Sequence, residues 1–282
     1  GLSRFRIDAG GDDLQHRTGE HSRPGPQSRR QNAGGHTHGI PVSGAHRGPH
    51  PKDEQLFSSA ALPALREATS DLSWLFSRGY AVDAAIKLVG DRYQLEARQR
   101  LAVARCAASD QAVANRNSCE LSATDMAGRT LLIDGYNLLT TIEAALAGAV
   151  IIVGRDGCYR DMASMHGTYR KVEETSPAIE LIGRTLTELS VTQAKWLVDK
   201  PVSNSGRLAT ILRETAQANT WNWQVELVPD PDAVMIAADG EDVNITADSV
   251  ILDASDRWFN LARHIIDIHV ADAWILAFSY GK

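Results

Sequence analysis

A short apolar run that stops on an aspartate limits what this chain can fold into. Residues 130–133, Thr-Leu-Leu-Ile, suit a strand buried on both faces, and Asp134-Gly135 ends it abruptly. Asn137 can then cap a helix over residues 138–147. A carboxylate at the end of a buried strand, followed by a tight turn into a helix, points into the crevice where open α/β sheets bind ligands. Asp, Gly and Asn are also ordinary turn formers, so the motif gains weight only by recurring.

It does recur. A second apolar run, residues 149–153, ends at Gly154-Arg155-Asp156-Gly157. A helix is expected near residues 177–189, and a third strand over residues 195–199 again closes on Asp199. Ser203-Asn204-Ser205-Gly206 opens a helix that reaches about residue 218. Residues 223–228 read as a fourth strand closed by Pro229-Asp230-Pro231, and residues 243–246 as a fifth. Ala247-Asp248-Ser249 then leads into a short helix at residues 250–254. A sixth strand is expected at residues 258–261, and a last helix over 262–268. This alternation predicts an α/β fold over residues 126–282, a parallel sheet with helices on both faces.

The preceding stretch differs. Residues 53–125 carry apolar residues at helical spacing (Leu56, Ala60, Ala64, Leu65, Leu72, Leu75, Phe76), with a break at Arg78-Gly79-Tyr80. A second helix over 82–89 stops at Gly90, and a third carries Leu95, Leu101, Ala102 and Val103. Three short helices resemble a helix-turn-helix bundle. Arg92, Arg98, Arg100, Arg105 and Arg116 cluster here, either as phosphate contacts or as a solvated face. Residues 115–128 read as a polar linker. Residues 1–52, rich in Gly, His, Arg, Ser and Pro, cannot bury enough surface to offset their ordering entropy and read as a disordered tail.

Composition narrows the function. A net charge of -6 argues against binding nucleic acid through bulk positive charge. No apolar run reaches the roughly 18 residues of a membrane span, so no membrane contact is expected. Residues 1–10 lack the apolar core of a signal peptide, and three irregularly spaced cysteines suggest reduced thiols and a cytoplasmic protein.

Asp134, Asp156, Asp199 and Asp248 each fall at or just beyond the carboxyl end of an expected strand, where a doubly wound sheet gathers them on one edge. Converging carboxylates raise one another's pKa unless a cation neutralises them. Hard ions such as Mg²⁺ or Mn²⁺ take oxygen ligands and retain waters, which suits phosphodiester hydrolysis. No His or Cys stands at zinc spacing, and phosphate-loop, dinucleotide and serine-elbow motifs are absent from the sequence.

Ile133-Asp134-Gly135-Tyr136-Asn137, with Thr246-Ala247-Asp248 after a late strand, resembles the PIN-like nuclease superfamily, especially its NYN branch. Most of the chain from about residue 60 resembles an uncharacterised prokaryotic family, domain of unknown function 434 joined to a PIN-like partner. Ser77-Arg78-Gly79-Tyr80, Leu88-Val89-Gly90-Asp91-Arg92-Tyr93 and Arg98-Gln99-Arg100 resemble the first part. The first strand, Asp156-Gly157, Arg160-Asp161, His166-Gly167, Tyr169-Arg170, the run from Asp199 to Gly206 and Asp248-Ser249 resemble the second. The resemblance implies a PIN-like Rossmannoid sheet with Asp134 and Asp248 as metal ligands. Asp156 and Asp199 come next, and Asp253, one turn past Asp248, is a possible replacement. Arg155 stands where the family has an acidic residue. It either pairs with Asp156 or meets substrate phosphate. Arg160, His166, Tyr169 and Arg170 mix basic and aromatic character, as single-strand nucleic-acid contacts do. Asn137, Ser203 and Ser205 complete the expected substrate contacts, the serines at a helix N-terminus where anions are favoured. Three functions follow as expectations. The first is a metal-dependent nuclease acting on RNA, the second a non-catalytic nucleic-acid- or protein-binding module on the same fold, and the third a phosphatase.

Overall fold

The structure, a computed structural model, describes residues 45–163, 169–238 and 240–279. Most of the expected tail, with His36 and His38, and the substrate candidate His166 lie outside the described residues. Residues 45–52, expected in the tail, are tied down. Arg47 Nε meets the buried Glu143 carboxylate at 2.5 Å, and the Ala45 carbonyl accepts from the Glu173 N–H at 3.0 Å.

Five helices come first: α1 (Asp53–Leu56), α2 (Leu62–Ser77), α3 (Val82–Arg92), α4 (Ala97–Cys106) and α5 (Asp110–Cys119). The long first helix expected from residue 53 is broken after α1. Helix α2 starts anew with Pro63 in its first turn, where a missing N–H costs nothing. Its inner face is Leu65, Ala68, Leu72 and Leu75, spaced three and four apart. Gly90 does not stop α3. It lies buried within the helix because Arg100 crosses there, and a Cβ would come 2.5 Å from its guanidinium. Helix α5 runs through Cys119 into the first part of what reads as linker, and its N-cap is the Ser109 hydroxyl, which accepts from the Ala112 N–H at 3.1 Å.

The α/β region follows as β1 (Thr130–Asp134), α6 (Gly135–Leu146), β2 (Ile151–Val153), β3 (Tyr159–Asp161), α7 (Thr175–Glu188), β4 (Gln193–Asp199), α8 (Ser205–Asn219), β5 (Trp223–Val228), α9 (Pro231–Ile236), β6 (Val243–Ile245), α10 (Ser249–Ala254), α11 (Leu261–His269) and β7 (Ile275–Ala277). The main sheet is four parallel strands in the order β5-β4-β1-β6, with β1 central and buried on both faces. Helices α6, α7, α8 and α11 cover one face through Leu139, Ile142, Ile179, Leu208 and Ile265. Met235 of α9 and Ile251 of α10 close the other over Leu132 and Leu197.

Two expectations about strands are corrected. The run at 149–153 does not join this sheet; β2 pairs with β3 antiparallel and with β7 in parallel, in a separate three-stranded sheet. Residues 258–261 are not a strand. Trp258 makes isolated bridges to Glu120 and Asn244 and is wholly buried, with its indole N–H on the Arg116 carbonyl at 2.7 Å.

The small sheet explains how the helices are held. Val150, Ile152, Met162 and Phe278 share one apolar cluster with Leu65, Leu72, Val89 and Val103, and residues from Ala45 onward form a single compact unit. Of the arginines read either as phosphate contacts or as a solvated face, Arg98 and Arg105 are taken up inside the fold. Arg98 grips buried Asp53 bidentately at 2.5 and 2.8 Å, and Arg105 donates to the Asp161 and Ala163 carbonyls. Arg92 and Arg100 pair with Asp71 and Asp91 on the helices themselves.

A shared core unfolds as one body. Ile152→Ala, at a fully buried position of β2, should cost about 2–5 kcal/mol. Urea unfolding followed by tryptophan fluorescence and by helical circular dichroism should show one coincident transition at lower denaturant. Separate transitions for the two signals would contradict the shared core.

Candidate metal centre

The parallel register places three of the four aspartates on one edge. Asp134 pairs in register with Leu197, two residues before Asp199 on β4, and Ile133 pairs with Ile245, three before Asp248. All three carboxylates therefore lie at the carboxyl ends of adjacent strands.

Asp134 is the N-cap of α6, a role the sequence reading gave to Asn137. Its Oδ1 accepts from the Asn137 N–H at 3.4 Å and its Oδ2 from the Thr246 hydroxyl at 3.0 Å. The same hydroxyl oxygen accepts from the Asp248 N–H at 3.0 Å, so one side chain spaces both aspartates. Asn137 turns its carbonyl oxygen to the Ala247 N–H at 2.8 Å. It therefore joins the two turns, and this bond engages the carbonyl oxygen of a residue expected to contact substrate. Gly135 is required by close approach, because a Cβ there would sit 2.8 Å from the Leu197 carbonyl oxygen.

Among the described residues, the electrostatics are those of an acidic edge without a paired side-chain cation. Asp134 is 8% exposed; burial first, and the Asp248 charge second, push its carboxyl up to about 7 against its two hydrogen bonds. Asp248 is raised by burial and by Asp232, despite its bond from the Val250 N–H at 2.8 Å. Asp199 is raised by burial, then by Asp232 and Asp230. Among the described residues no lysine, arginine or histidine pairs with Asp134, Asp199 or Asp248. Nearby, the Tyr136 hydroxyl is buried with no hydrogen-bond partner among the described residues, and burial and Asp199 together raise its pKa.

Asp156 has the opposite environment. Burial alone would raise its carboxyl, but Arg160 and Arg116 outweigh that and hold it below the ordinary carboxylate range. Arg160 binds it bidentately at 2.8 and 2.7 Å, and Arg116 adds a third contact at 2.6 Å. The expectation that Asp156 joins the other acids is corrected: its strand lies in the other sheet and its charge is already neutralised. Asp253 is likewise paired, with Arg116 at 2.7 Å.

Most expected substrate contacts are also engaged. Arg155 donates to the Ala108 carbonyl and pairs with Asp110 at 2.9 Å. Arg160 is committed to Asp156 and the Ala247 carbonyl. The Tyr169 hydroxyl is buried on Glu143 at 2.6 Å, with its ring against Tyr136 at 5.3 Å. The Ser205 hydroxyl donates to the Lys200 carbonyl at 3.2 Å. Among the described members of this set, Arg170 and Ser203 are the exposed ones. Tyr136 and Thr246, present in the sequence only as parts of motifs, and Asp232 are residues of this edge without an expected site role. Asp232 was legible, since it follows the fourth strand within Pro229-Asp230-Pro231-Asp232, but that stretch also reads as turn chemistry.

The donor set fits a hard divalent ion. Among the described residues it offers carboxylates and hydroxyls without thiol or imidazole, and Mg²⁺ typically takes one or two carboxylates and keeps its waters. Among the described residues, no group of three or more His, Cys, Asp or Glu forms a ready-made cage.

The model for the Domain of unknown function (DUF5616) matches residues 123–264, the span that holds every residue of this edge. The chain belongs to the DUF5616 family. The Protein of unknown function (DUF434) model matches residues 64–118, the helical region before it. This DUF5616 chain is 30% identical over 210 residues to an uncharacterized protein of Methanocaldococcus jannaschii, covering 74% of the chain and 96% of that relative. No solved structure matches it significantly. Among its described residues, no helix is long and apolar enough to cross a membrane.

The raised Asp134 carboxyl has a thermodynamic consequence. Between its ordinary value of 3.8 and about 7, the folded chain keeps a proton that the unfolded chain has lost. Stability without metal therefore falls as pH rises through that window, by up to about 4 kcal/mol from this group. Denaturation in chelator at pH 5 and pH 8 should show the drop, and Asp134→Asn should shrink it. Equal pH slopes in both proteins would contradict the assignment.

Proposed function

We propose that the α/β region is a PIN-like domain and that the protein is a divalent-cation-dependent nuclease acting on RNA. The observation that carries this reading is the uncompensated acidic edge: buried Asp134 next to Asp248, without a paired side-chain cation among the described residues. In this reading Asp134 and Asp248 hold Mg²⁺ or Mn²⁺. Bound there, such an ion supplies charge stabilisation for phosphodiester hydrolysis and a water of lowered pKa. Asp199, raised by burial and its acidic neighbours, is suited to accept a proton from attacking water. The buried Tyr136 hydroxyl offers an unused donor beside it. Thr246 and Asn137 keep the two ligands in register. Arg170 and Ser203, exposed at the rim, are the remaining contacts for the phosphate backbone.

A second reading is a non-catalytic RNA- or protein-binding module. It is favoured by the removal of Asp156 and Asp253 from the acidic set, both paired to Arg116.

Single-stranded RNA should be cleaved in Mg²⁺ or Mn²⁺ and spared in chelator. Asp134→Asn should lower the rate at least about 100-fold, since it removes several kcal/mol of metal-borne charge stabilisation. Cleavage unchanged by that substitution would overturn the nuclease. Salt-sensitive RNA binding without turnover in either ion would select the binding module.

A further inference from the structure

We propose that Arg116, supplied by the helical region, is a positioning residue for the Asp248 turn. The inference rests on the reading of Asp248 as a metal ligand and extends it to a residue outside the acidic edge.

Arg116 sits near the end of α5 and is 4% exposed. Its Nη1 meets Asp156 at 2.6 Å, its Nη2 meets Asp253 at 2.7 Å and donates to the Ser249 carbonyl at 3.3 Å, and its Nε also reaches Asp253 at 2.8 Å. Through Asp156 it is linked to Arg160, whose Nε donates to the Ala247 carbonyl at 2.9 Å. The backbone on both sides of Asp248 is thus held by guanidiniums, with residue 247 on Arg160 and residue 249 on Arg116. Asp156, shared between them, is the carboxylate that keeps both guanidiniums in place. Close packing supports the arrangement. A Cβ on Gly154 would lie 2.1 Å from Arg160 Nη1 and 2.5 Å from Asp156 Oδ1, so only glycine leaves room for the pair.

Charge balance sets this cluster apart from the acidic edge. Two guanidiniums face two carboxylates, so the network needs no external ion and can act as a rigid support. A planar guanidinium makes several such contacts at once, which a single ammonium cannot. The only covalent link from Arg116 to Asp248 runs through more than a hundred residues, so the contact is tertiary and joins the two matched family regions. The α/β region alone would lack this support for its second aspartate.

Arg116→Met in the full chain tests this with two readouts. Hydrogen exchange without metal should speed up at least tenfold at the amides of residues 247–253 and stay unchanged in β4. Mn²⁺ affinity measured by calorimetry should fall 10- to 100-fold, the usual loss when a group orienting a metal ligand is removed. Unchanged exchange at 247–253, or faster exchange with unchanged Mn²⁺ affinity, would overturn the assignment of Arg116 and leave the metal reading standing. Wild-type protein that binds no Mn²⁺ would overturn the metal reading and, with it, the positioning role. Should Arg116→Met fail to fold, Arg116→Lys carries the same measurements. It keeps the charge opposite Asp156 but cannot also hold Asp253 and Ser249, so smaller shifts in the same direction are expected.

Discussion

The arrangement depends on a carboxylate buried at the end of the central strand without a side-chain cation against it among the described residues. Asp134 cannot leave that position. Its strand is paired on both sides, its own side chain caps α6, and Gly135 lets that helix pass within contact of β4. A buried charge that is neither paired nor free to move must take a proton or attract an ion. Its neighbour Asp248 makes the first harder to reverse and the second more favourable.

Asp156 makes the contrast within the same molecule. It is 3% exposed, against 8% for Asp134, so burial alone does not separate the two. What separates them is the company of Arg160 and Arg116, which turns one carboxylate into a structural pin while the other stays available. The same economy of cations runs through the chain. Arg98, Arg105, Arg155 and Arg160 are engaged by carboxylates and carbonyls of the fold, which takes these four guanidiniums away from a phosphate backbone. Any substrate phosphate at the edge would depend on a bound ion and on the exposed rim.

The four strands of the main sheet were legible because each is rich in apolar and β-branched residues and closes on a polar or proline stop, β1 as the unbroken run of a strand buried on both faces and β5 as an alternating one. Three aspartates of the edge were legible for the same reason. Asp156 was misplaced because β2 has the same local signature, and nothing in residues 149–157 reveals that its partners are β3 and β7. Those partners are three residues each, and Tyr159-Arg160-Asp161 shows no apolar alternation to detect. Helix α5 escaped notice because the residue it buries is Arg116, so its inner face carries a charge where periodicity looks for a hydrophobe. The basic residues of the helical region were read as surface for a similar reason. Their carboxylate and carbonyl partners lie 45 residues away for Arg98 and 40 for Arg116, beyond any local pattern.

The most direct test is a titration of Asp134 itself. Carboxyl carbon NMR on metal-free protein, assigned with Asp134→Asn, should give a midpoint near 7, and Mg²⁺ at neutral pH should shift that resonance to its ionised position. A midpoint near the ordinary 3.8, with no response to Mg²⁺, would mean that the carboxylate is already neutralised and that the edge is not a metal site.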